Sequence, residues 1–188
     1  MKARGQIFIL SGPSGSGKTT LYRRLLKSGL PLTKIVSVTT RPRRPGERHG
    51  RDYYFVSQRM FKYKERAGHF LESEEVFGHS YGTPKKAVRE LLRSGRHLLL
   101  CIDVKGAKTV HRHFPEAVRI FVKTPTVREL RQRLSQRDTE DPLGLAARLR
   151  RAKEELEEAR FYDYVIVNDD LQRATDQLKD IICQHLSK

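Results

Sequence analysis

The chain has 188 residues, 37% of them hydrophobic and 32% charged, which suits one compact domain with a small inserted lobe. Its apolar residues come in short clustered runs, which excludes global disorder, and no run approaches the roughly 18–20 residues of a membrane helix. Lysine and arginine total 38 against 22 aspartates and glutamates, a formal charge of +16 that suits polyanionic partners such as nucleotides, although much of it reads as solvated surface. Two cysteines, Cys101 and Cys183, fit neither a disulfide framework nor a metal-ligand spacing. With no signal-peptide cleavage pattern at the N-terminus, a cytoplasmic setting is expected.

Residues Gln6–Leu10 read as a buried strand ended by Ser-Gly-Pro, and a helix begins at Thr19. Lys34–Val38 reads as a second strand, followed by a Pro/Arg/Gly-rich loop from Thr40 to Arg51. Tyr53–Val56 is a short strand, Ser57 caps a helix running towards Ala67, and Phe70–Phe77 is extended. A helix opens at Thr83 or Pro84. Strands are expected at His97–Ile102, Val118–Val122 and Tyr164–Val167, and helices at Thr126–Gln136, Leu145–Arg160 and Leu171–Leu186. Five strands alternating with helices predict an α/β fold with a parallel sheet covered on both faces.

Gly12-Pro13-Ser14-Gly15-Ser16-Gly17-Lys18-Thr19 matches G-x-x-x-x-G-K-[ST] between a strand and a helix. Glycines let backbone N–H groups turn towards phosphate oxygens, and the helix start adds its positive end. Lys18 is expected at the β- and γ-phosphates and the Thr19 hydroxyl on Mg2+. ATPases, GTPases and small-molecule kinases share this loop. Asn168-Asp169-Asp170 is not a guanine-reading NKxD motif, which argues against a GTPase.

A second anion site is expected from Thr39 to Phe55. Arg41 and Arg44 lie three apart in a loop, where guanidinium forks suit bidentate contact with phosphate, and Tyr53 adds a hydroxyl donor. This segment resembles the guanylate kinase signature, T-[ST]-R-x-x-[KR]-x-x-[DE]-x-x-G-x-x-Y-x-[FY], at every fixed position, and the resemblance runs through essentially the whole chain. It implies a P-loop NTPase-type five-stranded parallel sheet with an inserted GMP-binding lobe and an Arg-rich lid. The core is expected at 1–39, 86–132 and 149–188, the lobe at 40–85 and the lid at 133–148.

The resemblance also implies the activity, transfer of the γ-phosphate of ATP to GMP, and to dGMP, with Mg2+ as the metal. GMP phosphate would be bound by Arg41, Arg44, Tyr53 and Tyr81, with Glu47 at the acidic position of the signature. The guanine base would be read by Ser37, Glu72 and Thr83; a carboxylate suits its N1–H and N2–H2 donors. Asp103 ends a strand and is expected near the acceptor or, through water, the metal. Arg133, Arg137 and Arg148 would close over the ATP phosphates, with Lys18, Arg41, Arg137 and Arg148 carrying catalysis. Thr20 extends the ATP site and Asn168 lies beside the adenine. Arg131, Arg150 and Arg151 read as solvated helix residues. One departure stands out: Cys101 occupies a position where the family usually has an acid, and reads as a small buried strand residue.

A kinase for a phosphorylated sugar would lack the Ser37/Glu72 pattern. An interaction module of this family would lack the intact loop and arginines. No nucleic-acid module appears, so only nonspecific polyanion binding is expected, and no membrane partner.

Overall fold

A computed structural model describes residues 5–135 and 142–187. In chain order its elements are β1 (Ile7–Ser11), α1 (Lys18–Leu26), β2 (Leu32–Lys34), β3 (Val38–Thr39), β4 (Tyr54–Phe55), α2 (Gln58–Arg66), β5 (Phe70–Val76), β6 (His79–Pro84), α3 (Lys85–Arg93), β7 (His97–Cys101), α4 (Val104–His113), β8 (Val118–Lys123), α5 (Val127–Ser135), α6 (Pro142–Glu157), a short 3-10 turn (Glu158–Phe161), β9 (Tyr164–Val167) and α7 (Leu171–Leu186).

The order β2-β7-β1-β8-β9 forms an all-parallel sheet with β1 at its centre. Strand side chains alternate between faces, so β1 divides its residues between two cores. Ile7 and Ile9 join Leu98, Leu100, Val88 and Val110 on the face covered by α3 and α4. Phe8 and Leu10 join Leu99, Ile120, Leu21 and Leu178 on the face covered by α1 and α7. Burial on both faces explains why these strands read as continuous apolar runs.

A second, four-stranded sheet has the order β4-β3-β6-β5. β5 and β6 form a hairpin whose two turn residues, Phe77 and Gly78, have φ of 50° and 74°. Two successive positive φ values match the twist of the flanking strands. Phe77 is the sole non-glycine residue with positive φ among the described residues.

The structure corrects two expectations. Lys34–Val38 is not one strand: Lys34 pairs with Leu99 in the parallel sheet, whereas Val38 pairs with Tyr54 and Gly82 in the other. The apolar run spans a crossing between two cores. The expected helix at Leu145–Arg160 starts earlier and finishes as the 3-10 turn. β6 and α4 were not legible, because Gly82 and Pro84 interrupt one pattern and Gly106 the other. The expected cap at Ser57 holds, its Oγ accepting the Met60 N–H, and Asp170 caps α7 by accepting that of Arg173. Among the described residues no helix is long and apolar enough to cross a membrane.

Phe8 is fully buried beneath α1 and α7. Phe8→Ala should cost about 3–5 kcal/mol of stability. Urea unfolding checks this as a lower midpoint at unchanged slope.

Candidate active site

The phosphate loop leaves the carboxyl end of the central strand. Gly12 has φ 141°, and a Cβ there would stand 2.1 Å from the Val122 carbonyl oxygen. Gly17 caps α1 at φ 90°, where a Cβ would meet Asn168 Nδ2 at 2.1 Å. The Asn168 side chain donates to the Ser16 carbonyl at 2.8 Å, and its backbone N–H to the Lys123 carbonyl at 2.8 Å. Arg133 donates to the Asn168 carbonyl at 2.9 Å. Thus Gly17, Arg133 and Asn168 meet at one point of the loop. Asn168 is buried and engaged with the loop itself, a role the sequence did not suggest.

Within the loop, Lys18 Nζ lies across its own turn and donates to the Pro13 carbonyl at 3.2 Å. Ser16 Oγ is buried with no hydrogen-bond partner among the described residues, a donor suited to a phosphate oxygen. Thr19 follows in the first turn of α1.

Cys101 ends β7 beside this loop. Burial raises its thiol pKa, against the pull of the Lys18 charge and the Thr19 hydroxyl. It is partly accessible rather than sealed in the core.

The other sheet carries the residues expected at the acceptor. Arg41 Nη2 donates to both Glu47 oxygens, at 2.7 and 3.0 Å, and the Arg44 backbone N–H donates to Glu47 Oε2 at 2.9 Å. Burial would raise the Glu47 pKa, but these donors hold it below the usual carboxylate range. The Arg41 guanidinium lies 5.6 Å from the Tyr53 ring centre, and Tyr53 meets Tyr81 edge-on at 6.1 Å. Burial pushes the Tyr53 hydroxyl up to about 12, so it remains a neutral donor. The Arg44 side chain stays exposed, so Arg41, Tyr53 and Tyr81 converge and Arg44 stands apart.

Glu72 and Thr83 face each other across β5 and β6, and the Thr83 hydroxyl donates to the Glu72 carboxylate. Glu72 is 6% exposed, and burial, with Asp103 nearby, raises its pKa to about 7. Ser37 immediately precedes β3 and holds the neighbouring strand through its carbonyl, which accepts the Tyr54 N–H at 2.8 Å. Asp103 caps α4, accepting the Gly106 N–H at 2.9 Å. A Cβ on Gly106 would lie 2.8 Å from Glu72 Oε2 and 3.3 Å from Asp103 Oδ1. The bare glycine lets the two carboxylates approach.

Helix α6 meets this edge through a residue that sequence reasoning misread. Arg151 is no solvated side chain: it donates to Asp103 Oδ2 at 3.1 Å and Glu155 Oε1 at 2.9 Å. Burial raises the Glu155 carboxyl, opposed by Arg151 and the nearby Lys18 charge. Arg148 and Arg151 lie over the Phe77 ring, at 4.7 and 5.6 Å from its centre. The hairpin tip of the acceptor sheet therefore touches the arginines of α6. Arg137 lies outside the described residues. No periodicity marks Arg151; the available signal was its place one helical turn before Glu155.

Residues 4–185 match the protein family described as guanylate kinase. A guanylate kinase of Symbiobacterium thermophilum is 46% identical over 181 residues, covering 96% of this chain and 86% of that protein. One from Nitrosospira multiformis is 46% identical over 178 residues, covering 95% and 85%. The crystal structure of a guanylate kinase from Anaplasma phagocytophilum superposes with a TM-score of 0.83 at 35% identity, covering all of this chain and 89% of that one.

Arg151→Ala would leave the Asp103 and Glu155 carboxylates without the cation between them. The pair is neither fully buried nor fully exposed, so the expected loss is about 1–3 kcal/mol, against about 0.5 kcal/mol or less for exposed Arg150→Ala. Parallel urea unfolding of the two variants checks the contrast.

Proposed function

The chain belongs to the guanylate kinase family, and on that premise we propose that it transfers the γ-phosphate of ATP to GMP, and to dGMP, giving GDP or dGDP and ADP, with its own residues in the roles that follow. The observation that carries this reading is the buried Glu72 carboxylate, bonded to Thr83, on the sheet that also presents Arg41, Tyr53 and Tyr81.

GMP binds with its base against Glu72, Ser37 and Thr83. Glu72 accepts from guanine N1–H and N2–H2; adenine lacks the N1–H and would leave a buried carboxylate unpaired. The acceptor phosphate lies against Arg41, Arg44, Tyr53 and Tyr81, while Glu47 holds Arg41 in place. The ATP phosphates follow the N–H groups from Gly12 to Thr20, with Lys18 on the β- and γ-oxygens and Ser16 Oγ as a further donor. Asn168 fixes the loop beside the adenine.

Attack is in line, from an acceptor phosphate oxygen on the γ-phosphorus. That oxygen is already anionic, so no general base is required. Lys18, Arg133, Arg137 and Arg148 offset charge on the transferring group, which makes catalysis positioning plus electrostatics. Closure of residues 40–85 and 133–148 over the core 1–39, 86–132 and 149–188 excludes water that would otherwise hydrolyse ATP.

Among the described residues no group of three or more His, Cys, Asp or Glu could hold a metal. Oxygen donors are nevertheless present in the Thr19 hydroxyl and the Asp103 carboxylate. Such a set fits Mg2+, which takes most of its ligands from substrate phosphates and water. Thr19 would hold the ion directly and Asp103 through water; when bound, it neutralises phosphate charge. The two free cysteines accord with a reducing, cytoplasmic setting.

ADP formation from ATP with GMP, dGMP, AMP, CMP or UMP tests the reading. Turnover with GMP should exceed AMP at least about 100-fold and fall by a similar factor in Glu72→Ala. A folded, ATP-binding protein with no GMP-dependent turnover would overturn it.

A pH profile tests Glu72 separately. Only its ionised form accepts both guanine donors, so KM for GMP should rise about tenfold per unit as pH falls below about 7. Glu72→Gln should lose that dependence. Stability moves oppositely: the folded value lies above the ordinary 4.5, so the folded chain binds this proton more tightly. The contribution is full below 4.5 and is lost as pH rises through about 7.

A further inference from the structure

Behind the acceptor-binding sheet lies a cavity of about 790 Å3, lined from the sheet by Val38, Tyr54, Val56, Phe70 and Pro84. Strand alternation places it opposite the acceptor face. Tyr53 and Phe55 turn towards Arg41, at 5.6 and 5.8 Å, so Tyr54 and Val56 turn away. Tyr54 is 43% exposed, an aromatic ring bared on the cavity floor.

The rim is cationic. Lys85, Arg89 and Arg93 recur every four residues along α3, and Lys64 of α2 joins them. Like charges at this spacing repel. Among the described residues none of these four side chains makes a hydrogen bond or ion pair; the nearby Glu90 pairs with Lys86 instead, at 3.8 Å. A second cavity of about 390 Å3 borders Arg89 and Arg93 from the other side. The two arginines thus stand between open spaces, and the cavity lining sets Lys64, Lys85, Lys86, Arg89 and Arg93 against the single carboxylate of Glu90.

We propose that this cavity is a binding site for a nucleoside diphosphate, separate from both substrate sites. Its volume lies within the range of roughly 300–1,000 Å3 that holds small organic ligands. The aromatic floor suits a base, and two or three phosphate charges match the Lys85, Arg89, Arg93 and Lys64 rim. An extended polyanion would neutralise the rim but leave the floor unused.

Occupancy bears on acceptor binding, because the lining residues interleave with the acceptor residues. Val38 lies between Ser37 and Thr39, Tyr54 follows Tyr53, and Pro84 follows Thr83. A ligand pressing on one face of these strands shifts the side chains on the other.

Equilibrium dialysis with radiolabelled CDP tests this, using the whole protein with its substrate sites saturated by GMP and a non-hydrolysable ATP analogue. One CDP per chain should be retained under saturating substrates. Arg89→Glu and Arg93→Glu should each weaken it about tenfold or more, whereas Arg150→Glu, an equal change of net charge on exposed α6 surface, should not. These substitutions lie on exposed helix surface, and circular dichroism verifies folding. CDP should also change KM for GMP at least about twofold in the parent chain and leave the Arg89→Glu variant unaffected. Absence of retained CDP overturns the proposal, as does equal weakening by Arg150→Glu, which would mark diffuse attraction. Arg89-dependent binding of a single-stranded RNA oligomer without CDP binding would also overturn it.

Discussion

The hydrogen bond from the Asn168 amide to the Ser16 carbonyl is the contact on which the placement of the phosphate loop depends. It ties a loop after the central strand to the end of an outer strand nearly the whole chain away. Gly17 permits the contact, since any side chain there would collide with that amide. Gly12 permits the matching approach to the Val122 carbonyl. Phosphate recognition therefore rests on backbone closeness, bought with left-handed glycines, rather than on many charged side chains. The buried Ser16 hydroxyl, with no hydrogen-bond partner among the described residues, follows from the same enclosure.

Electrostatics at the facing edge has a different character. Glu72 and Asp103 are separated by little more than the bare Gly106 backbone, and burial keeps Glu72 reluctant to ionise. Such a carboxylate is costly until donors arrive, so in the proposed complex a base with two N–H donors would relieve that cost. Arg151 works against that cost from the other side by holding Asp103, and it joins Asp103 to Glu155. The guanidinium thereby couples the helix bearing Arg148 to the edge that carries Asp103 and Glu72.

Much of this was legible in sequence for identifiable reasons. The loop motif is contiguous, the arginine and tyrosine signature lies within one segment, and the strands of the parallel sheet are apolar on both faces. Ser57 was readable as a cap because capping is local. What escaped depends on distance. β6 contains Gly82 and Pro84, which look like breakers, yet Gly82 fits because a Cβ there would meet the Phe70 ring at 2.9 Å. Arg151 looked like its neighbours because its partner Asp103 is 48 residues away. The bond from the Asn168 amide to the loop escaped as well, because its partner Ser16 lies 152 residues away.

The Cys101 position is best understood through these long-range contacts. A thiol there supplies neither a hard ligand nor a charge at neutral pH, since burial holds its proton on. The site is still not short of carboxylate. Glu155 lies within the influence of Lys18 and is anchored through Arg151 to Asp103, on a helix rather than on β7. Beside Asp103, just after β7, a second carboxylate near the phosphate loop thus sits on α6, the element that also carries Arg148. Through Arg151 this helix is joined to Asp103 at the sheet edge, and Phe77 of the hairpin lies beneath both arginines of that helix.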